Sequence, residues 1–208
     1  VNSPVAKLKT EDLIIQNDFT IESTAEFDAN GLDVSIEADY VNNGTYTPSS
    51  NTTYFTGSAT TITGATSFYN LIFSNAGTLT VLDNITVQND LTISANGIID
   101  IDTQDVTVTG DVSLIGSITA SSGDVLMQGI STQTISGNGA ASIDRLHIDN
   151  ATGVVSSANL IVAELLILDS GIFNIGSTLL DLTSTSVSAI EDGSAGTTFS
   201  TANMIQMN

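Results

Sequence analysis

Residues 71–114 read "LIFSNAGTLTVLDNITVQNDLTISANGIIDIDTQDVTVTGDVSL". Apolar pairs separated by one residue recur through it: Leu71/Phe73, Leu79/Val81, Ile85/Val87, Leu91/Ile93, Ile99/Ile101, Val106/Val108 and Val112/Leu114. Alternate side chains of a strand point to opposite sides, so each pair predicts a short strand with one buried face. Successive pairs start six to eight residues apart, with Asn, Asp or Gly between them ("SNAG", "LDN", "QND", "SANG"). Loops that short turn the chain at a corner. Three steps make about 20 residues, carrying Leu71 to Leu91 to Val112, and Ile85 to Val106 to Val125. Three strands per coil, each coil stacked on the last, predict an all-β fold: a right-handed parallel β-helix, or β-solenoid. The chain accommodates roughly ten such coils, a rod on the order of 50 Å long. Corner asparagines such as Asn75, Asn84 and Asn89 are placed to form side-chain ladders between coils.

A longer period runs through the same chain, and such repeats decide an architecture. "IIQNDFTI" at 14–21 aligns with "TVQNDLTI" at 86–93, an offset of 72. At the same offset Val34 meets Val106, Asp39 meets Asp111, Gly44 meets Gly116 and Gly57 meets Gly129. "TITGATSFYNL" at 61–71 matches "TISGNGAASIDRL" at 134–146 once two residues are inserted. Approximate copies are therefore 1–60, 61–133 and 134–208 of one continuous solenoid segment, and the register fades after about Val187. We expect the chain to be an excerpt of a longer repetitive protein. The alternative architecture is a string of small β-sandwiches, which the Asn-Gly pairs at 30, 43, 96 and 138 would serve as hairpin turns. The 20-residue rhythm crosses the boundaries of such domains without a linker, which favours the solenoid.

Composition narrows the function. Three basic residues face 23 acidic ones, a formal net charge of −20. Such a surface repels phosphate backbones and anionic lipid, which argues against nucleic-acid partners and membrane-surface binding. No apolar run reaches the roughly 18 residues of a membrane span. Cys is absent, which removes thiol chemistry and any disulfide framework. No nucleophile elbow, zinc-protease helix, P-loop or dinucleotide fingerprint occurs.

Two clusters are candidate sites. Arg145 and His147, the only residues of their types, flank Leu146 in "SIDRLHIDN" (142–150), where "SFYNLIFSN" (67–75) carries Asn70 and Ile72. Alternation puts both on the outer face. A basic pair beside a bound uronate suits a β-helical polysaccharide lyase, but such a site draws several cations from neighbouring coils. Here only Lys7 and Lys9 remain, so we read a solvated surface pair next to Asp144 and Asp149. The second cluster is "IIDIDTQD" (98–105), where Asp100 and Asp102 share an outer face with Asp105 at the next corner. Calcium takes six to eight oxygens and is the one cofactor such a face could hold. The spacing matches neither an EF-hand nor the nonapeptide calcium repeat, so we read a solvated acidic face. We assign no catalytic, cofactor-binding or metal residue. Asn43, Asn51, Asn84 and Asn150 begin glycosylation sequons, which matter only in a glycosylating host. The outward Thr residues are read as strand formers, because their spacing is too irregular for an ice-binding array.

The stretch "TITGATSFYNLIFSNAGTLTVLDNITVQNDLTISANGIIDI" (61–101) resembles a unit that recurs in very large secreted and cell-surface proteins of Bacteroidota. In that unit T-x-x-I-x-G leads into F-x-N-L-x-I/F, then V-x-L-x-x-N-x-x-V-x-x-x-L-x-L. Residues 134–175 match with Ile143 for Phe68 and Arg145 for Asn70, 11–60 match as a partial copy, and "TTFSTANMIQMN" (197–208) is similar to the unit's later portion. The resemblance implies a non-enzymatic adhesin or gliding-motility filament, exported by type IX secretion to the cell surface. Its partners would be extracellular glycans, proteins or a solid surface, besides the secretion machinery during export. The alternatives are a polysaccharide-processing β-helix enzyme, and a carbohydrate- or calcium-binding module of a larger enzyme.

Overall fold

A computed structural model describes residues 4–139 and 141–193 and the strand Met204–Met207. The chain is a right-handed parallel β-solenoid with three faces. One coil illustrates the pattern: Thr66–Phe68 lies on the first face, Asn70–Phe73 on the second and Thr78–Val81 on the third. The next coil repeats it with Ile85–Val87, Leu91–Ile93 and Ile98–Asp102. Among the described residues nine coils carry all three faces, and Ile190–Asp192 with Met204–Met207 begin a tenth. Every pairing among the described residues is parallel, which overturns the sandwich alternative, since that needs antiparallel hairpins.

The steps inferred from spacing are the observed ladders. Leu71 pairs with Leu91 and Leu91 with Val112, while Ile85 pairs with Val106 and Val106 with Val125. All seven apolar pairs of residues 71–114 point inward and are buried. A three-residue strand contributes two such side chains, so stacking coils is what closes the core. From Phe19 to Phe68 the interior is aromatic. Phe19, Phe27, Tyr40, Tyr46, Phe55 and Phe68 form one connected set with ring centroids 5.0–6.2 Å apart. Later coils use Ile, Leu and Val, with Phe173 near the end. The strands Ser142–Asp149 and Leu160–Ser170 run unbroken through the corner between the third and first faces, with bulges that absorb the bend.

The 72-residue period and the three-strand coil do not share a phase. Leu13–Ile15 and Ile85–Val87 are equivalent in sequence, yet they are the second and thirteenth strands of the chain. Eleven strands separate them, one short of four full coils. Leu13–Ile15 therefore lies on the second face and Ile85–Val87 on the first. The same step moves Phe19–Ile21 from the third face to the second at Leu91–Ile93, and Leu71 from the second face to the first at Leu146. Equivalent residues never stack on each other, and each copy is turned by one face. The resemblance at 197–203 lies outside the described residues, whereas Met204–Met207 pairs with Ile172–Gly176 on the second face.

Candidate functional site

On several stretches of the corners the residue just before an inward side chain is a polar rung, and these rungs connect along the axis. On the corner leading to the second face, Asp12 Oδ1 accepts the Asp33 amide at 3.0 Å, and Asp33 Oδ1 accepts the Thr52 amide at 2.8 Å. Asn70 reaches back from Nδ2 to Thr52 Oγ1 at 3.4 Å. Higher up, Asn70 Oδ1 accepts the Asp90 amide at 3.2 Å, Asp90 Oδ1 that of Asp111 at 2.9 Å, and Asp111 Oδ1 that of Thr134 at 2.7 Å. Asp18 and Asp39 do the same before the third face, towards Asp39 and Thr61. A carboxylate on a main-chain amide is a charge-assisted hydrogen bond, about twice as strong as a neutral one. Corner acids are thus pins between coils, and Asp105, read from the sequence as part of a solvated acidic face, is one of them.

The expected asparagine ladders are mostly aspartate ladders. Asn89 Nδ2 does bond Asn70 Oδ1 at 2.8 Å, the one amide-to-amide rung of the three predicted. Asn75 bonds the Thr56 carbonyl at 2.6 Å, and Asn84 accepts the Asp105 amide at 2.9 Å. The sequence did carry a signal for these rungs. Asp12, Asp33, Asn70, Asp90 and Asp111 recur at the coil spacing or twice it, always one residue ahead of an inward side chain.

Arg145 occupies such a rung. On the corner before the first face, Asn84 Oδ1 accepts the Asp105 amide, Asp105 Oδ1 accepts the Asp124 amide at 3.0 Å, and Arg145 Nε donates to Asp124 Oδ1 at 2.8 Å. The guanidinium side chain is 20% exposed and its partner 18%. The preceding copy has the matching ladder Asp12, Asp33, Thr52, Asn70. Where that copy stacks a hydroxyl under an amide, this one stacks a carboxylate under a guanidinium. Asp144 is not the partner of Arg145, because its carboxylate accepts the Ala120 amide at 3.0 Å. Arg145 and His147 are on the outer side of their strand, as alternation requires, but they are packed rather than freely solvated.

His147 Nε2 lies 3.6 Å from Asp169 Oδ2, beyond hydrogen-bond length, and its side chain is 17% exposed. Asp149 accepts from the Ser170 hydroxyl at 2.7 Å and from Gln128 Nε2 at 2.9 Å. Those donors, with His147 nearby, hold its carboxyl below the usual carboxylate range despite desolvation. Beside Arg145 opens a shallow cleft of about 510 Å³, also lined by Glu164, Glu191 and the hydroxyls of Ser184, Ser186 and Ser188. A uronate lyase needs cations around its substrate carboxylate. Here the single guanidinium is engaged by Asp124, and two glutamates share the cleft.

The acidic cluster does not converge. Ile99 and Ile101 are buried, so Asp100 and Asp102 do face outward. Asp102 bonds the Ser121 hydroxyl, Asp100 accepts the Asp102 amide at 3.2 Å, and Asp105 belongs to the Asn84 ladder. No group of three or more such side chains able to hold a metal ion occurs among the described residues. Of the sequon asparagines, Asn51 and Asn150 are buried, each donating to a buried polar partner (Tyr46 Oη and Gln133 Oε1) at 2.9 Å. Comparison of the chain with protein-family models, with curated proteins and with solved structures finds no match.

Proposed function

We propose that this chain is a segment of a non-enzymatic, repetitive protein of the bacterial cell surface. It acts as a stiff rod that presents binding surface along its length, as an adhesin or gliding-type filament of Bacteroidota exported by type IX secretion would. The observation that carries the proposal is the use made of polar side chains. Corner carboxylates and the sole arginine are spent on main-chain amides and on each other, so they serve stacking and not chemistry. Turning each copy by one face spreads equivalent surface around the rod, which suits many weak contacts summed by avidity.

Adhesion of chain-coated beads tests this. Retention on glycan- or protein-coated surfaces should rise steeply with coating density, while single chains bind weakly. Turnover of a polysaccharide by the purified chain, abolished by substitution of Glu164 and Glu191, would replace the rod reading with an enzymatic one.

A further inference from the structure

A second cleft, of about 390 Å³, lies at the corner between the second and third faces. Its lining is residues 95–98 and 115–117 with Asn138, and none of these eight can ionise. In a chain of net charge −20 that is a local departure from the surface average. Its size falls in the range of small-molecule sites.

Close coil packing creates the depression. The carbonyl of Gly77 accepts the Ile98 amide at 2.8 Å and that of Gly97 accepts the Ser117 amide at 2.9 Å. A Cβ on Gly116 would stand 2.1 Å from the Gly97 oxygen, and one on Gly97 2.9 Å from the Asn75 oxygen. Glycine is therefore required at Gly116, and the two small residues leave the floor of the corner open. The walls are Ile98 and Ile115, 37% and 41% exposed, and the amides of Asn96 and Asn138. Asn138 leans across to the Ile115 carbonyl at 3.5 Å. Aliphatic walls beside amide and carbonyl groups fit a molecule with C–H faces and a rim of hydroxyls.

We infer that this cleft binds a neutral saccharide. The surrounding negative charge disfavours anionic glycans. The neighbouring second face extends the same chemistry. An outward row on the second face runs in unbroken register from Ile14 through Ser35, Tyr54, Ile72, Thr92 and Ser113 to Ser136 without a charge. Six coil steps at about 4.8 Å make this strip on the order of 29 Å long. A polymer seated in the cleft could continue along it.

The first copy shows that the cleft is a local specialisation. At the offset of 72, Asn96 (φ 62°) corresponds to Thr24 (φ 69°), Ile98 to Glu26 and Ile115 to Asn43. The equivalent corner there is charged. Ile98→Glu with Ile115→Asn thus installs residues that the fold already accepts at matching positions.

The inference rests on the rod reading only in that the sugar is held and not converted. The test is a titration of the isotope-labelled chain with neutral gluco-, manno- and N-acetylglucosamine oligosaccharides, and with oligogalacturonate as the acidic control. At least one neutral class should shift the Ile98 and Ile115 methyl signals saturably, while galacturonate does not. The double variant should bind at least tenfold more weakly with an unchanged melting profile. Failure of every neutral probe, equal binding by the variant, or equal binding of galacturonate would overturn the site. Bead adhesion that persists alongside such a failure would leave the rod reading intact, whereas turnover of the sugar would remove it.

Discussion

Arg145 donates from Nε to Asp124 Oδ1 at 2.8 Å, one coil away, at the place where the preceding copy sets Asn70 against Thr52. The two changes belong together: a carboxylate entered one rung and a guanidinium the next. Asp124→Thr and Arg145→Asn should each destabilise by about 1–2 kcal/mol, because each strands a poorly exposed charge. The double substitution recreates the Thr52/Asn70 pair and should lose less than the sum, with a coupling of at least ~0.5 kcal/mol. Chemical denaturation of the four proteins measures this. Additive losses would mean that the ion pair is incidental.

Asp90 separates pinning from solvation. Its Oδ1 accepts the Asp111 amide at 2.9 Å. Asp90→Ala removes the acceptor and should cost about 1 kcal/mol. Asp90→Asn keeps an acceptor and relieves repulsion from Asp111 on the next rung, so it should cost less than alanine or stabilise. Equal behaviour of the two variants in thermal melts would mean that the Asp90 carboxylate meets water and pins nothing.

Acid should weaken the stack. The Lys7 ammonium, bonded at 2.5 Å, pulls the Asp28 carboxyl below its ordinary value, and the Ser170 and Gln128 donors do so for Asp149. A depressed folded value means stability that is fully present above the unfolded value. It is lost as the pH falls through the folded one. The melting temperature should therefore hold from neutral pH downward and drop below about pH 4. Asp149→Asn should flatten part of that drop, read by circular dichroism across pH.

Two buried tyrosines should answer oppositely to loss of the hydroxyl. Tyr46 Oη contacts Thr53 Oγ1 at 2.8 Å and accepts from Asn51 Nδ2 at 2.9 Å. Tyr40 Oη is buried and makes no hydrogen bond of good geometry, with the Thr66 hydroxyl as its polar neighbour. Burial pushes the ionisation of both upward, so neither titrates near neutrality. Tyr46→Phe should cost about 1–2 kcal/mol, since it also orphans Asn51, while Tyr40→Phe should be neutral or stabilising. Differential scanning calorimetry distinguishes the two.

The inward pairs were legible because alternation is a strand's own property: Leu71/Phe73 and Leu91/Ile93 needed no partner to be recognised. The coil length followed from the spacing of those pairs. The rotation of the copies did not, because aligning Leu71 with Leu146 says nothing about how many strands lie between them. Eleven strands against a coil of three is a relation between two periods, and it appears only when strands are assigned to faces. The role of Asp90 was hidden for another reason. An aspartate before an inward residue looks the same whether its carboxylate meets water or the amide of the next coil. Alignment sets Arg145 against Asn70, whereas the residue that explains it is Asp124, one coil away and 21 positions back. The saccharide cleft depends on Gly97 and Gly116 stacking, and neither glycine is distinctive alone.

The most direct test of the coil stacking uses the absence of cysteine from the chain. Thr92 and Ser113 are neighbours in register on parallel strands of the second face. Adjacent strands lie about 4.8 Å apart, within the Cα separations that a disulfide spans. Thr20 and Thr92 are equivalent in the repeat but lie on the third and second faces. Under mild oxidation the Thr92→Cys/Ser113→Cys protein should form an intramolecular disulfide rapidly, and Thr20→Cys/Thr92→Cys should remain reduced. Cross-linking of the second pair in place of the first would contradict the solenoid register.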